Sequence, residues 1–146
     1  IMGLGAFTSV AGDAGISVAR RLEGTINVTS GNSYTVYTAV EGLLKAAHLM
    51  GLEPKNSRVA IVGASGSIGA VCAKILAPDV ASLALIGRDL GKLDALKTQL
   101  CAQNSDVHVT SDIRAALREA DLVLAVSSAG KDLIFPEDLK SGAVVC

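Results

Sequence analysis

The sequence predicts an α/β protein built on a doubly wound parallel sheet with helices on both faces, a three-layer α/β/α arrangement. Three observations carry that prediction. The apolar run Val59-Ala-Ile-Val62 leads straight into glycines at 63, 66 and 69 and then into a helical repeat. Further short aliphatic or β-branched runs follow each helical stretch. Strands that alternate with helices imply right-handed crossovers and a sheet covered on both sides.

The elements can be read in order. Residues 1–30 are rich in glycine and threonine and show no long helical period. They are expected to be a connecting segment or the remnant of a neighbouring domain, with the dinucleotide-type domain spanning 31–146. From Ser33 to Met50 the residues Val36, Val40, Leu43, Leu44, Ala47 and Met50 repeat as one helical face, with Asn32 or Ser33 as the cap and Gly51 and Pro54 closing the end. Val59–Val62 is the first strand, uninterrupted in the manner of a strand buried on both faces. In the helix after it, Ile68, Val71, Cys72, Ile75 and Leu76 fall at helical spacing, and Pro78 ends it. Ser82–Ile86 is the second strand, Asp89 caps a helix running to about Leu100, and Val107–Val109 is a short third strand. Ser111 or Asp112 caps a helix ending near Ala120, Leu122–Val126 is the fourth strand, and Gly142-Ala-Val-Val-Cys146 the fifth. The expected strand order is 3-2-1-4-5.

Bulk properties narrow the function. A chain of 146 residues, half of them apolar, can bury a core without disulfides or metal. Thirteen basic and 14 acidic side chains leave a net charge of -1 with no basic block, and aromatics are scarce, which argues against a nucleic-acid surface. No apolar stretch reaches the roughly 18 residues that span a bilayer. Cys72, Cys101 and Cys146 form no CxxC pair and leave an odd thiol, the usage of a reducing compartment, so a cytoplasmic location is expected. The chain begins at Ile1 and stops at Cys146 within an apolar run, and it is expected to be a piece of a longer protein whose other regions contact the substrate. A homo-oligomer is compatible with this reading.

The glycine loop points to a dinucleotide pyrophosphate. Gly63 suits the tight turn off the strand, a side chain at Gly66 would stand where phosphates approach the backbone, and Gly69 lets the helix lie close on the sheet. The helix beginning near Ser67 aims its free N–H groups and positive dipole end at the anion. Gly63, Ser65, Gly66, Ser67, Ile68 and Gly69 are the expected cofactor contacts of this loop. The spacing is GxxGxxG rather than the commoner GxGxxG, and an empty structural turn is the competing reading.

The position after the second strand reads the adenosine ribose: a carboxylate there suits NAD and an arginine the 2′-phosphate of NADP. Here it is Gly87-Arg88-Asp89, with Lys92 one helical turn on. Arg88 favours NADP, against the alternative of a solvated charge, and Asp89 is accounted for as the helix cap. Ser127 and Ser128, in the turn at the switch point beyond the fourth strand, are expected either to bond the cofactor or to serve ordinary turn chemistry.

No acid-base, triad or metal constellation stands out. His48 lies off the apolar face of its helix and reads as a surface residue, His108 as structural in a short strand, and Cys72 as a small core residue. Metal binding is not expected, and no catalytic residue can be assigned.

Three stretches, Gly3-Leu-Gly-Ala-Phe-Thr-Ser9, Thr29-Ser-Gly-Asn-Ser-Tyr-Thr35 and Val62-Gly-Ala-Ser-Gly-Ser-Ile-Gly69, resemble the central part of the long-chain acyl-[acyl-carrier-protein] reductases of cyanobacteria and their bacterial relatives. More broadly the chain resembles the NADP-binding Rossmann domain of shikimate and quinate dehydrogenases. The Gly-x-Asn-Thr-Asp pattern that precedes that domain has a counterpart in Gly31-Asn32-Ser33-Tyr34, without its aspartate. The reductase likeness implies that the whole protein passes hydride from NADPH to an acyl thioester and releases an aldehyde. The cysteine thought to take the acyl group in that family lies beyond the matched region and is not carried onto any cysteine here. The likeness also implies that Asn32 lies near the meeting place of nicotinamide and substrate, its alternative role being a helix cap. Two other readings stand beside this one: a shikimate/quinate-type dehydrogenase domain, and a non-catalytic module that senses a nucleotide.

Overall fold

The computed structural model describes residues 1–5, 13, 15–104, 106–127 and 133–146, which divide into two units, 1–35 and 36–146. In the first, β1 (Met2–Gly3) and β2 (Val28–Thr29) form a two-stranded parallel pair with Met2 opposite Val28. Between them stands α1 (Ile16–Arg21), at whose start the Asp13 carboxylate accepts the Ser17 N–H at 2.7 Å. No helical period is visible in residues 1–30 because a helix of six residues is too short to display one.

Helix α2 (Asn32–Leu49) begins one residue earlier than its apolar period suggests. The expected cap at Asn32 or Ser33 is not what forms: both lie inside the helix. Gly31 turns the chain with φ of 75°, its carbonyl accepts the N–H groups of Tyr34 and Thr35, and the Ser30 hydroxyl accepts the Asn32 N–H at 3.4 Å. A glycine reaches the left-handed conformation without steric cost, which moves the start toward the N-terminus. The other end closes as expected. Gly51 (φ 71°) donates to His48 O and Leu52 to Ala47 O at 3.0 and 2.9 Å, the paired bonds that satisfy the last carbonyls of a helix. Val36, Val40, Leu43 and Ala47 are its buried stripe, and His48 is on the surface.

The five-stranded sheet of the second unit has the order β5-β4-β3-β6-β7 with every neighbour parallel, the predicted 3-2-1-4-5. Its strands are β3 (Arg58–Val62), β4 (Ser82–Ile86), β5 (Val107–Thr110), β6 (Leu122–Ala125) and β7 (Val144–Val145). Three helices connect them: α3 (Ser67–Leu76), α4 (Leu90–Leu100) and α5 (Ile113–Glu119). This is a Rossmann-type α/β fold.

Central strand β3 explains its own apolar run, because alternate side chains enter two different cores. Val59 and Ile61 pack with α2, α3 and α4 residues such as Leu43, Leu76 and Leu93. Ala60 and Val62 pack on the opposite face with Leu117 and Ala120 of α5 and its end, and with Leu133, Ile134 and Leu139. That second face is held by an ion cluster. Asp138, 3% exposed, meets Arg114 at 3.3 Å and Arg118 at 3.4 Å, two arginines on one face of α5.

The apolar repeat of α3 is wider than its buried face. Gly69, Cys72, Ala73 and Leu76, spaced i, i+3, i+4, i+7, are buried, whereas Val71 and Ile75 are 44% and 46% exposed. The expectation that Val71 and Ile75 share the buried stripe is therefore corrected. Gly69 and Ala73 let the helix backbone approach the sheet, and that close approach selects the face of small residues over the bulkier one.

Candidate functional site: the cleft at the carboxyl ends of the strands

The ends of β3, β4, β5 and β6 and the residues that follow them meet at one edge of the sheet. Gly63 leaves β3 with φ of 91°, and its N–H and that of Ala64 both donate to Ile86 O, at 2.9 and 3.1 Å. A Cβ at Gly63 would lie 2.9 Å from Val126 O, so the turn is pinched between the ends of β4 and β6. The chain then folds back, with the Gly66 N–H donating to Gly63 O at 3.0 Å, and α3 starts. At Gly69 a Cβ would collide with Gly63 O and come within 2.8 Å of Ala64 Cα, so glycine there is what lets the first turn rest on the loop. Gly66 is the N-cap, and among the described residues no side chain bonds the first N–H groups of α3, whose first internal bond runs from Ala70 N to Gly66 O. Those N–H groups are the donors that a helix start can offer an anion.

The loop forms one wall of a cleft of about 340 Å³, lined by Gly63, Ser65 and Gly66, by Arg88 beyond β4, and by Ser127 beyond β6. Five of the expected cofactor contacts thus come together in one cavity of the size that small-molecule sites occupy. Ser67 is exposed at the start of α3, Gly69 is buried under the loop, and Ile68 is half-buried against the larger core. Ser128 lies outside the described residues. Asn32 opens α2 in the first unit.

Sequence reasoning missed Val62, Ile86, Gly87, Ser111, Ile113 and Leu133, which also line the cleft. By sequence alone, Ser111 reads only as a candidate helix cap. Asp112 takes that role, its carboxylate accepting the Ala115 N–H at 3.0 Å, which leaves Ser111 at the cleft wall. The signal was available: Val62, Ile86 and Ser111 all stand where a parallel strand ends, the edge at which such sheets take ligands.

A second, shallower recess is lined by Ser65, Arg88, Asp89, Leu90 and Lys92. Asp89 caps α4, its Oδ1 accepting the Lys92 N–H at 3.1 Å while Oδ2 stands 3.3 Å from Lys92 Nζ. The backbone N–H of Lys92, followed by its ammonium group, holds the Asp89 carboxyl below the usual carboxylate range. Arg88 makes no ion pair among the described residues.

Elsewhere, burial pushes the Cys72 thiol up, the opposite of what a nucleophile needs. His108 pairs with Asp106 at 2.6 Å on the exposed edge strand β5. Among the described residues no three His, Cys, Asp or Glu side chains cluster in a way that would hold a metal, and no helix is long and apolar enough to cross a membrane.

This geometry agrees with what the chain is similar to. The sequence profile of the shikimate / quinate 5-dehydrogenases matches residues 45–144, from within α2 to β7. The chain belongs to the shikimate / quinate 5-dehydrogenase family. Two relatives extend the match to the rest of this family member's length. Aminotransferase PigE of Serratia sp. is 36% identical over 146 residues, 99% of this chain and 17% of that protein. The long-chain acyl-[acyl-carrier-protein] reductase of Synechococcus elongatus is 31% identical over 153 residues, 99% of this chain and 43% of that protein. The expected likeness to the acyl reductases is thus found, and this chain spans less than half the length of either relative. Among solved structures, an L-alanine dehydrogenase superposes with a TM-score of 0.60 at 17% identity, covering 79% of this chain and 37% of its own. The quinate dehydrogenase from Corynebacterium glutamicum in complex with NAD gives 0.57 at 21%, covering 74% and 42%. At those identities the superpositions establish the shared Rossmann fold. The chain is a shikimate-dehydrogenase-like Rossmann domain of the oxidoreductase kind.

Proposed function

We propose that residues 31–146 form the NADP-binding domain of an oxidoreductase, with 1–30 a connecting segment or the remnant of a neighbouring domain, and that the parent protein reduces an acyl thioester to an aldehyde with NADPH. The observation that carries the reading is the convergence on one cleft of the glycine loop, with Gly66 at the N-cap of α3, and Arg88. The donor set fits the group. Backbone N–H groups at Ser67, Ile68 and Gly69, with the Ser65 hydroxyl, suit a pyrophosphate. The Arg88 guanidinium suits the 2′-phosphate, and Val62, Ile86 and Ile113 offer apolar walls to the adenine end. Bound there, NADP would supply hydride transfer. The part of this chain is to hold the dinucleotide at the sheet edge and, through Ser127 and Ser128, to steady it beyond β6. Asn32 is proposed to stand near the substrate.

The 31% identity to the acyl reductase across 99% of the chain supports thioester reduction. The family match at residues 45–144 supports a second reading, a dehydrogenase of the shikimate/quinate type. Cofactor binding is common to both. Titration of the chain with NADPH and NADH, repeated for Arg88→Ala, tests it: loss of a phosphate-arginine pair is expected to cost about 1.5–3 kcal/mol on NADPH alone. Equal weakening of both dinucleotides, or no binding by the parent, would refute the assignment. Supplying the parent protein with NADPH and either an acyl thioester or the ketone form of shikimate or quinate separates the two chemistries.

A further inference from the structure

Asp138 is the one carboxylate buried among the described residues. Each of its oxygens meets a different arginine of α5, Oδ2 at Arg114 and Oδ1 at Arg118, and those arginine side chains are 69% and 64% exposed. A carboxylate taken out of water is costly unless it is held, so both contacts matter to it. On α5 the two arginines form one i, i+4 stripe, and Ile113 and Leu117 form the stripe beside it. Leu117 is fully buried in the second core, whereas Ile113, in the first turn, is half-buried and lines the cofactor cleft. Leu133, on the same segment as Asp138, lines that cleft as well and is also half-buried.

The cleft thus has a fixed side and an adjustable one. Val62 and Ile86 end β3 and β4 in the middle of the sheet, where the strand ladder holds them. Ile113 belongs to a helix of seven residues, and Leu133 to a segment whose only regular piece is the 3₁₀ turn Pro136–Asp138. Elements this short have little stability of their own, so their setting depends on what they touch. Resting on the dinucleotide reading above, we infer that Asp138 is a positioning residue for the cofactor. Its grip on both arginines fixes the rotation of α5 and ties segment 133–139 to that helix, so that Ile113 and Leu133 form one apolar wall against the adenine ring. Asp138 does not line the cleft and acts through those two side chains. A wall displaced by as little as about 1 Å forfeits much of its dispersion contact with a flat ring.

Titrations of the full chain with NADPH, NADH and ADP-ribose test this, for the parent, Asp138→Asn, Ile113→Ala and the double variant. Asparagine keeps the shape of the side chain, but its amide nitrogen cannot accept from an arginine, so one of the two pairs is lost. All three ligands carry adenine, and Asp138→Asn is expected to weaken each by about fivefold, unlike Arg88→Ala, which acts on NADPH alone. In the Ile113→Ala background the same change is expected to cost less than about twofold, since the wall it sets is already gone. An equal factor in both backgrounds, no loss at all, or a loss that spares ADP-ribose would overturn the role and leave Asp138 as a stabiliser of the fold. Circular dichroism melting checks that each variant is folded at the titration temperature. If Asp138→Asn is not, Arg118→Gln, which leaves the carboxylate with Arg114, goes through the same cycle with an expected loss of about two- to threefold. Failure of the dinucleotide reading shows separately, as a parent that binds none of the three ligands.

Discussion

At the residue scale, the glycine loop separates conformational need from space. Gly63 is required twice, by its positive φ and by the carbonyl of Val126 beside it, whereas Gly69 has ordinary helical geometry and is required only by what it touches. The Gly69→Ala variant is therefore expected to lose about 1–3 kcal/mol, as overpacking does, because the obstacle is backbone of the loop and cannot rotate away. Urea denaturation of the two proteins measures it, and an unchanged midpoint would show that α3 can shift outward. Asp121 illustrates a different economy. Burial raises its carboxyl, but the Arg58 N–H at 2.9 Å, the Lys140 ammonium and the Arg58 charge together outweigh burial, and the net displacement is downward. A carboxyl lowered in the folded state stabilises above its unfolded value and loses that contribution as pH falls through the folded one. Parent stability should accordingly drop below about pH 4 more steeply than that of Asp121→Asn, which should itself be less stable near neutrality by about 1–2 kcal/mol. Parallel slopes in denaturation series at stepped pH would remove Asp121 from the account.

At the scale of elements, the helices show which local signals outrank which. Asp89 and Asp112 cap α4 and α5 as their sequences suggest, because an aspartate at that position satisfies an N–H that nothing else reaches. At α2 the candidates were also good capping residues, yet the start moved to Gly31, whose conformation turns the chain earlier. In α3 the hydrophobic period located the helix and misassigned its face. Period counts apolar residues and is blind to size, and in a helix that must lie on a glycine loop the small residues go inward. The exposed Val71 and Ile75 could not have been foreseen from spacing alone. Segment 133–139 carries no strong pattern either, and its place over the second core rests on contacts across the fold: Leu133, Ile134 and Leu139 on the apolar face and Asp138 with Arg114 and Arg118.

At the scale of the whole molecule, the second unit presents a pre-formed cleft at the edge where β3, β4, β5 and β6 end. A ligand that binds the folded state and not the unfolded chain stabilises it by mass action, by about 2.7 kcal/mol at a hundred times its Kd. NADPH at that excess is expected to raise the thermal midpoint of the parent by several degrees and to raise that of Arg88→Ala less at the same concentration. Differential scanning fluorimetry measures both, and the absence of any shift in the parent would count against dinucleotide binding altogether.

What the amino-acid order determined by itself is the alternation of strands and helices, the 3-2-1-4-5 sheet and the glycine turn at 63–69. Each follows from chemistry within a few neighbouring residues, and the handedness of crossovers leaves few ways to assemble them. Tertiary structure alone decided which strand-end residues share the cleft, why Ser111 faces it while Asp112 caps, which side of α3 is buried, and that Asp89, Lys92 and Arg88 crowd one recess. Those outcomes depend on distances between segments far apart in the chain, and no periodicity or propensity encodes a distance between such segments.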